Sequence, residues 1–119
     1  MSYNINEEKH YSQAAAVVFA AAQGAVAGLQ GKVLRESASD GTLEAQFDKK
    51  IHGKVLGDRT RFHVQVKEDG AGGTAVIVDG YPIDAVGGKL MFGARKGVTR
   101  TVLDWYWAHL EHRLGDAAA

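Results

Sequence analysis

Apolar and polar residues alternate most cleanly from Thr60 to Lys67. Phe62, Val64 and Val66 point one way, and Arg61, His63, Gln65 and Lys67 the other. A period of two over that length predicts a strand with one buried face. Thr42–Lys49 repeats the pattern, with Leu43, Ala45 and Phe47 on one side. Asp40-Gly41 ahead of it is a hairpin turn signal, so Lys32–Ser37 is predicted as the partner strand. Thr74–Gly80 is a further strand. Its run Ala75-Val76-Ile77-Val78 is apolar on both faces, and Tyr81-Pro82 is expected to end it. Asp69–Gly73 reads as a glycine-rich hairpin loop, and Gly53 and Gly57 mark a turn or bulge. Weak alternation at Tyr3–Tyr11, and a short apolar patch at Lys89–Phe92 within a glycine-rich stretch, add two short strands to the prediction.

Two stretches switch to the helical period. Ser12 is an N-cap signal for a helix over Gln13–Leu29, with Gly31 as its stop. Its core face carries Ala15, Val18, Phe19, Ala22, Val26 and Leu29. The opposite face (Gln13, Val17, Ala20, Ala21, Gly24, Gly28) carries no charge at all. A second helix is predicted over Val98–Leu114, closed by Gly115. At about 100° per residue, Leu103, Tyr106, Trp107, Leu110 and Leu114 share one arc. Val98, Trp105, His109 and His112 fall roughly opposite it.

The element order is (β)αββββ(β)α within a single domain of residues 1–119. Short hairpin connections make the sheet antiparallel. The predicted class is α+β: an antiparallel sheet of four to six strands with the N-terminal and C-terminal helices packed on one face. The outline is similar to helix-grip and TATA-binding-protein-like arrangements, a likeness of topology alone.

Composition narrows the classes. At 119 residues and 12.7 kDa the chain can bury a core without staples. It has no Cys, which excludes a disulfide scaffold, thiolate metal sites and a Cys nucleophile. His10–Gly31 has no Asp, Glu, Lys or Arg, yet Ala and Gly dominate it, so a membrane span is not expected. Glu7 and Glu8 stand where a secretory signal wants cations. A cytoplasmic location without a membrane partner is the expectation.

Net charge is zero, but the charges are segregated. Lys49–Lys67 holds six basic residues against one acid, whereas residues 1–48 and 68–94 are each net acidic. Arg59, Arg61, His63 and Lys67 could meet an anion along one strand. Arg95, Lys96 and Arg100 cluster where the last helix begins and its dipole adds positive potential. Nucleic acid stays an open but unfavoured partner, because no aromatics interleave with the cations on the strand's outward face.

Catalytic signatures are missing. Gly88-Lys89 has Ile83 and Leu90 where a phosphate loop needs Gly and Ser or Thr, and neither a nucleophile elbow nor H-E-x-x-H occurs. His109 and His112 could share a cation, but two imidazoles alone are a weak metal signal, and no metal or cofactor is expected. Asp79 and Asp84 flank Tyr81-Pro82 and read as turn chemistry. The reading therefore leans away from an enzyme.

What remains is a non-catalytic module for a small apolar or anionic ligand, acting as a homo-oligomer, most simply a dimer. Phe47, Phe62, Tyr81, Met91, Phe92 and Tyr106 are its candidate ligand contacts, with the glycine-rich 87–97 stretch as a lid. Val17, Ala20, Gly24, Gly28, Trp105 and His109 are its candidate subunit contacts. A structural interaction protein and an anion or nucleic-acid binder are the alternatives.

Overall fold

The computed structural model describes residues 3–95 and 97–118. Strand β1 (Ile5–Tyr11) leads into helix α1 (Ala15–Gly28). Strands β2 (Lys32–Ser37) and β3 (Thr42–Phe47) follow, then the short β4 (Lys50–Ile51) and β5 (Lys54–Val55). Strands β6 (Arg59–Glu68) and β7 (Thr74–Ile83) complete the sheet, and helix α2 (Val98–Ala118) ends the chain. Five strands form one antiparallel sheet in the order β1-β7-β6-β3-β2, while β4 and β5 pair only with each other. Both helices lie on one face. This is the predicted α+β class.

The alternation in the sequence sets the layers. Leu43, Ala45, Phe47, Phe62, Val64, Val66, Val76 and Val78 are all buried beneath the helices. Phe62 pairs across strands with Ala45 and Gly80, small residues that leave room for its ring. A Cβ at Gly80 would come within 2.8 Å of that ring. Phe47, Phe62 and Tyr106 stack edge to face, with centroids 4.9, 5.3 and 6.2 Å apart. Gly41 sits at φ 70° in the β2–β3 turn, and its carbonyl accepts the Val66 N–H at 2.7 Å. Any side chain there would strike the Val66 carbonyl oxygen.

Helices α1 and α2 lie against each other because α1 has almost no side chains to keep them apart. The Tyr106 hydroxyl donates to the Ala22 carbonyl at 3.0 Å. A Cβ at Gly24 would meet the Arg113 guanidinium, and one at Gly28 would meet the His109 ring. The uncharged face of α1 is thus partly an intramolecular seam.

Strand β1 is held to α2 by a polar clasp. Arg100 donates to both Glu7 oxygens, at 2.7 and 2.9 Å, and the Trp107 indole donates to Glu7 at 2.8 Å. Arg100 is also held by Asp104, 2.9 Å away. Lys9 stands 5.1 Å above the Trp107 ring, and the Tyr11 hydroxyl donates to Glu111 at 2.9 Å. The Arg100 hydrogen bonds outweigh partial burial and hold the Glu7 carboxyl below its ordinary pKa of 4.5.

Several boundaries differ from expectation. Ser12 does not cap α1; the N-cap is Ala14, with no side-chain hydrogen bond. Tyr81-Pro82 does not end β7, because β1 pairs only as far as Gly80. The Pro82 carbonyl accepts from Leu90, so its missing N–H also faces the side that β1 has vacated. Lys89–Phe92 forms no strand, only a single bridge from Lys89 to Ile83. Helix α2 runs through Gly115, and Val98, expected to face outward, is buried in its first turn.

Two outcomes test this account. Phe62→Ala should cost about 3–5 kcal/mol in urea unfolding, whereas Gln65→Ala on the outward face should change stability by about 0.5 kcal/mol or less. Because folding depresses the Glu7 pKa, its contribution is present above the unfolded value and is lost as pH falls through the folded one. Melting temperature should drop between neutral pH and about pH 3, and Glu7→Gln should start lower and decline less steeply.

Candidate functional site

The six predicted ligand contacts do not converge. Phe47, Phe62 and Tyr106 are fully buried and fill one another's space, so the interior between sheet and helices is occupied by rings where a ligand was expected. Tyr81 lies on the outer face of the sheet and shares a hydrogen bond of 2.9 Å with His63. Met91 and Phe92 project from the 84–97 loop, exposed.

The predicted anion contacts are likewise dispersed and largely engaged. Arg59 lies 3.7 Å from Asp48, and Arg61 donates to Gln46 and to the Gly87 carbonyl. Arg61, His63 and the exposed Lys67 form one outward file along β6. Arg95 packs on Gly57 and its N–H is taken by Asp58. Arg100 is engaged by Glu7 and Asp104, so among the described residues it is not free to cradle a phosphate at the start of α2; Lys96 lies outside them. Asp84 accepts the Val86 and Gly88 N–H groups, the turn role expected of it.

The predicted subunit contacts separate into two groups. Gly24 and Gly28 are covered by Arg113 and His109 of the same chain, while Val17 and Ala20 remain exposed. Trp105 is partly buried against the core, and the β4–β5 hairpin covers it.

That hairpin builds a groove. His52 and Gly53 turn it at φ 48° and 81°, the mirror-image geometry that joins two twisted strands tightly. The His52 N–H donates to the Gln30 side chain at 2.9 Å, and its Nε2 donates to the Gly28 carbonyl at 2.6 Å. Gln30 itself holds φ 60°. Two strained non-glycine residues thus tie the hairpin to the end of α1, a cost that the surrounding structure must offset. Beneath lies an open groove of about 400 Å³, lined by Leu29, Ile51, His52, Lys54, Trp105, Ala108 and His109. Leu29 and Ile51 are buried and form its apolar floor. The Lys54 ammonium stands 5.5 Å from the Trp105 ring centre. Burial, then the charge of Arg113, holds the His109 imidazole below its ordinary pKa of 6.5, which favours its neutral form at pH 7. Among the described residues no group of three metal-ligating side chains gathers here or elsewhere.

The sequence pattern singles out Trp105 and His109 but not Leu29, Ile51, His52, Lys54 or Ala108 as site residues. The signal it does hold is Ile51, an isolated apolar residue among cations, followed by the His52-Gly53 turn.

No protein-family model and no curated protein matches the chain. Solved structures do. The crystal structure of Ara h 8.0201 superposes with a TM-score of 0.66 at 12% identity, over 97% of this chain and 99% of that one. TTHA0849 from Thermus thermophilus superposes with a TM-score of 0.51 at 12% identity, over 98% and 99%. The fold is a helix-grip arrangement like that of these two structures. At this identity the likeness concerns architecture, and here the grip closes on the buried rings of Phe47, Phe62 and Tyr106.

Proposed function

We propose that the protein is a non-catalytic small-ligand-binding module of the cytoplasm, with its site in the groove under the β4–β5 hairpin. The carrying observation is Trp105, partly buried as a groove wall with the Lys54 ammonium over its ring. A flat apolar molecule bearing one anionic group fits this chemistry. Its rings would lie on Trp105, Ile51 and Leu29, its anion would meet Lys54, and neutral His109 would offer a hydrogen bond. The Bet v1-like architecture, a fold known for ligand binding, agrees with the reading.

Anilinonaphthalene sulfonate, an anionic aromatic dye, has the required chemistry. Saturable fluorescence enhancement is expected, with affinity falling about tenfold in Trp105→Ala and by a similar factor in Lys54→Ala. Unchanged affinity in both variants would sink the groove as the site. A homodimer is the second reading, favoured by the exposed, uncharged Ala16, Val17 and Ala20 on α1. Native mass spectrometry separates the two: a dimer that Val17→Glu dissolves supports a contact through α1, and a monomer carrying added mass supports the ligand alone.

A further inference from the structure

Strands β3 and β7 end, and β6 begins, at the same end of the sheet, where Phe47 pairs with Thr60 and Arg59 with Ile83. The 48–58 and 84–97 segments therefore leave from that end, and Arg95 against Gly57 joins them. The 84–97 loop carries three large exposed apolar side chains among its described residues: Val86 at 93%, Phe92 at 82% and Met91 at 48% of full exposure. Exposed apolar groups on this scale mark a contact. Lys49, Lys50 and Lys89 are exposed on these two segments, the Lys89 ammonium lying 4.9 Å from the Tyr81 ring centre, and together the segments hold six basic residues against three carboxylates, Asp48, Asp58 and Asp84, which accept neighbouring backbone N–H groups. The opposite end of β6 and β7 bears Glu68 and Asp69, and the β2–β3 turn beside it bears Asp40. The molecule is thus polarised, with cations and apolar tips together at one end.

We infer that this end docks on the surface of an anionic lipid bilayer. Phe92, Met91 and Val86 would enter the headgroup layer, and Lys49, Lys50 and Lys89 would face the lipid anions. A lid over the groove is disfavoured, because no described residue of the loop lines it. A protein partner needs roughly 800 Å² of surface per side, whereas the loop offers only three large apolar side chains, set among Gly87, Gly88 and Gly93. Nucleic acid would find one ring to stack on and two aliphatic side chains that offer it nothing. No described helix is long and apolar enough to cross a membrane, so the contact is peripheral.

Flotation of the full chain with vesicles of phosphatidylcholine, with and without phosphatidylserine, tests this independently of the groove. Binding should require phosphatidylserine, weaken with added salt, and fall at least about tenfold in Phe92→Asp and in Met91→Asp. Both positions are exposed, so circular dichroism and melting should be unchanged. Equal binding of the Asp variants would overturn the inference, as would no binding to either vesicle. So would a dimer that Phe92→Asp dissolves, or binding to a single-stranded oligonucleotide that displaces the vesicles.

Discussion

Tyr106 is where the two layers of this protein meet. It is fully buried, its ring lies edge to face on Phe47 and Phe62 from two strands, and its hydroxyl has found the Ala22 carbonyl of the other helix. An unpaired buried hydroxyl would be costly, so this one bond fixes how α2 sits over α1 as well as over the sheet. The arrangement demands small residues on α1, and Ala21, Ala22, Gly24, Ala25 and Gly28 supply them. With the centre of the grip occupied by three rings, open apolar space is left at the margin. There a two-stranded hairpin, tied down through His52 and Gln30, roofs Trp105.

The sheet's margins are managed differently. Strand β1 turns a polar inner face, Glu7, Lys9 and Tyr11, toward α2, and each of these side chains meets a partner on that helix. Burial and the neighbouring Glu111 push the Tyr11 hydroxyl pKa up, keeping it a donor. Strand β2, the other edge, is mostly exposed and its register shifts between Val33 and Arg35. A bulge with flanking charges blunts a strand edge that would otherwise invite pairing with another chain.

Strands and helices are legible in the sequence because their cause is local. Period-two alternation identifies β3 and β6 and their buried faces, and the Asp40-Gly41 signal locates their neighbour. The candidate site is legible only in part, because its causes are tertiary. An uncharged stripe of Ala and Gly permits a close backbone approach without saying whose backbone comes. It suggests a second copy of the chain, yet much of it is taken by Arg113 and His109. Phe47, Phe62 and Tyr106 are chemically suited to line a cavity, but apolar residues that converge will fill space unless something holds them apart. Strand β7 outruns its proline because the neighbouring strand stops first, a fact of pairing length that no window of sequence contains.

The clasp between Glu7 and Arg100 joins residues 93 positions apart, and β1, the first strand, pairs with β7, the last. The hairpins β2–β3 and β6–β7 close short loops, and β3–β6 spans a modest one. Of the sheet strands, β1 waits longest for its partner, and loop closure makes such pairings slow to form. During synthesis β1 emerges before its partners and has nothing to pair with until β7 and α2 have followed. Its polar inner face keeps that waiting segment compatible with water. The charges that later bind it to α2 thus also make it safe to leave unpaired on a growing chain.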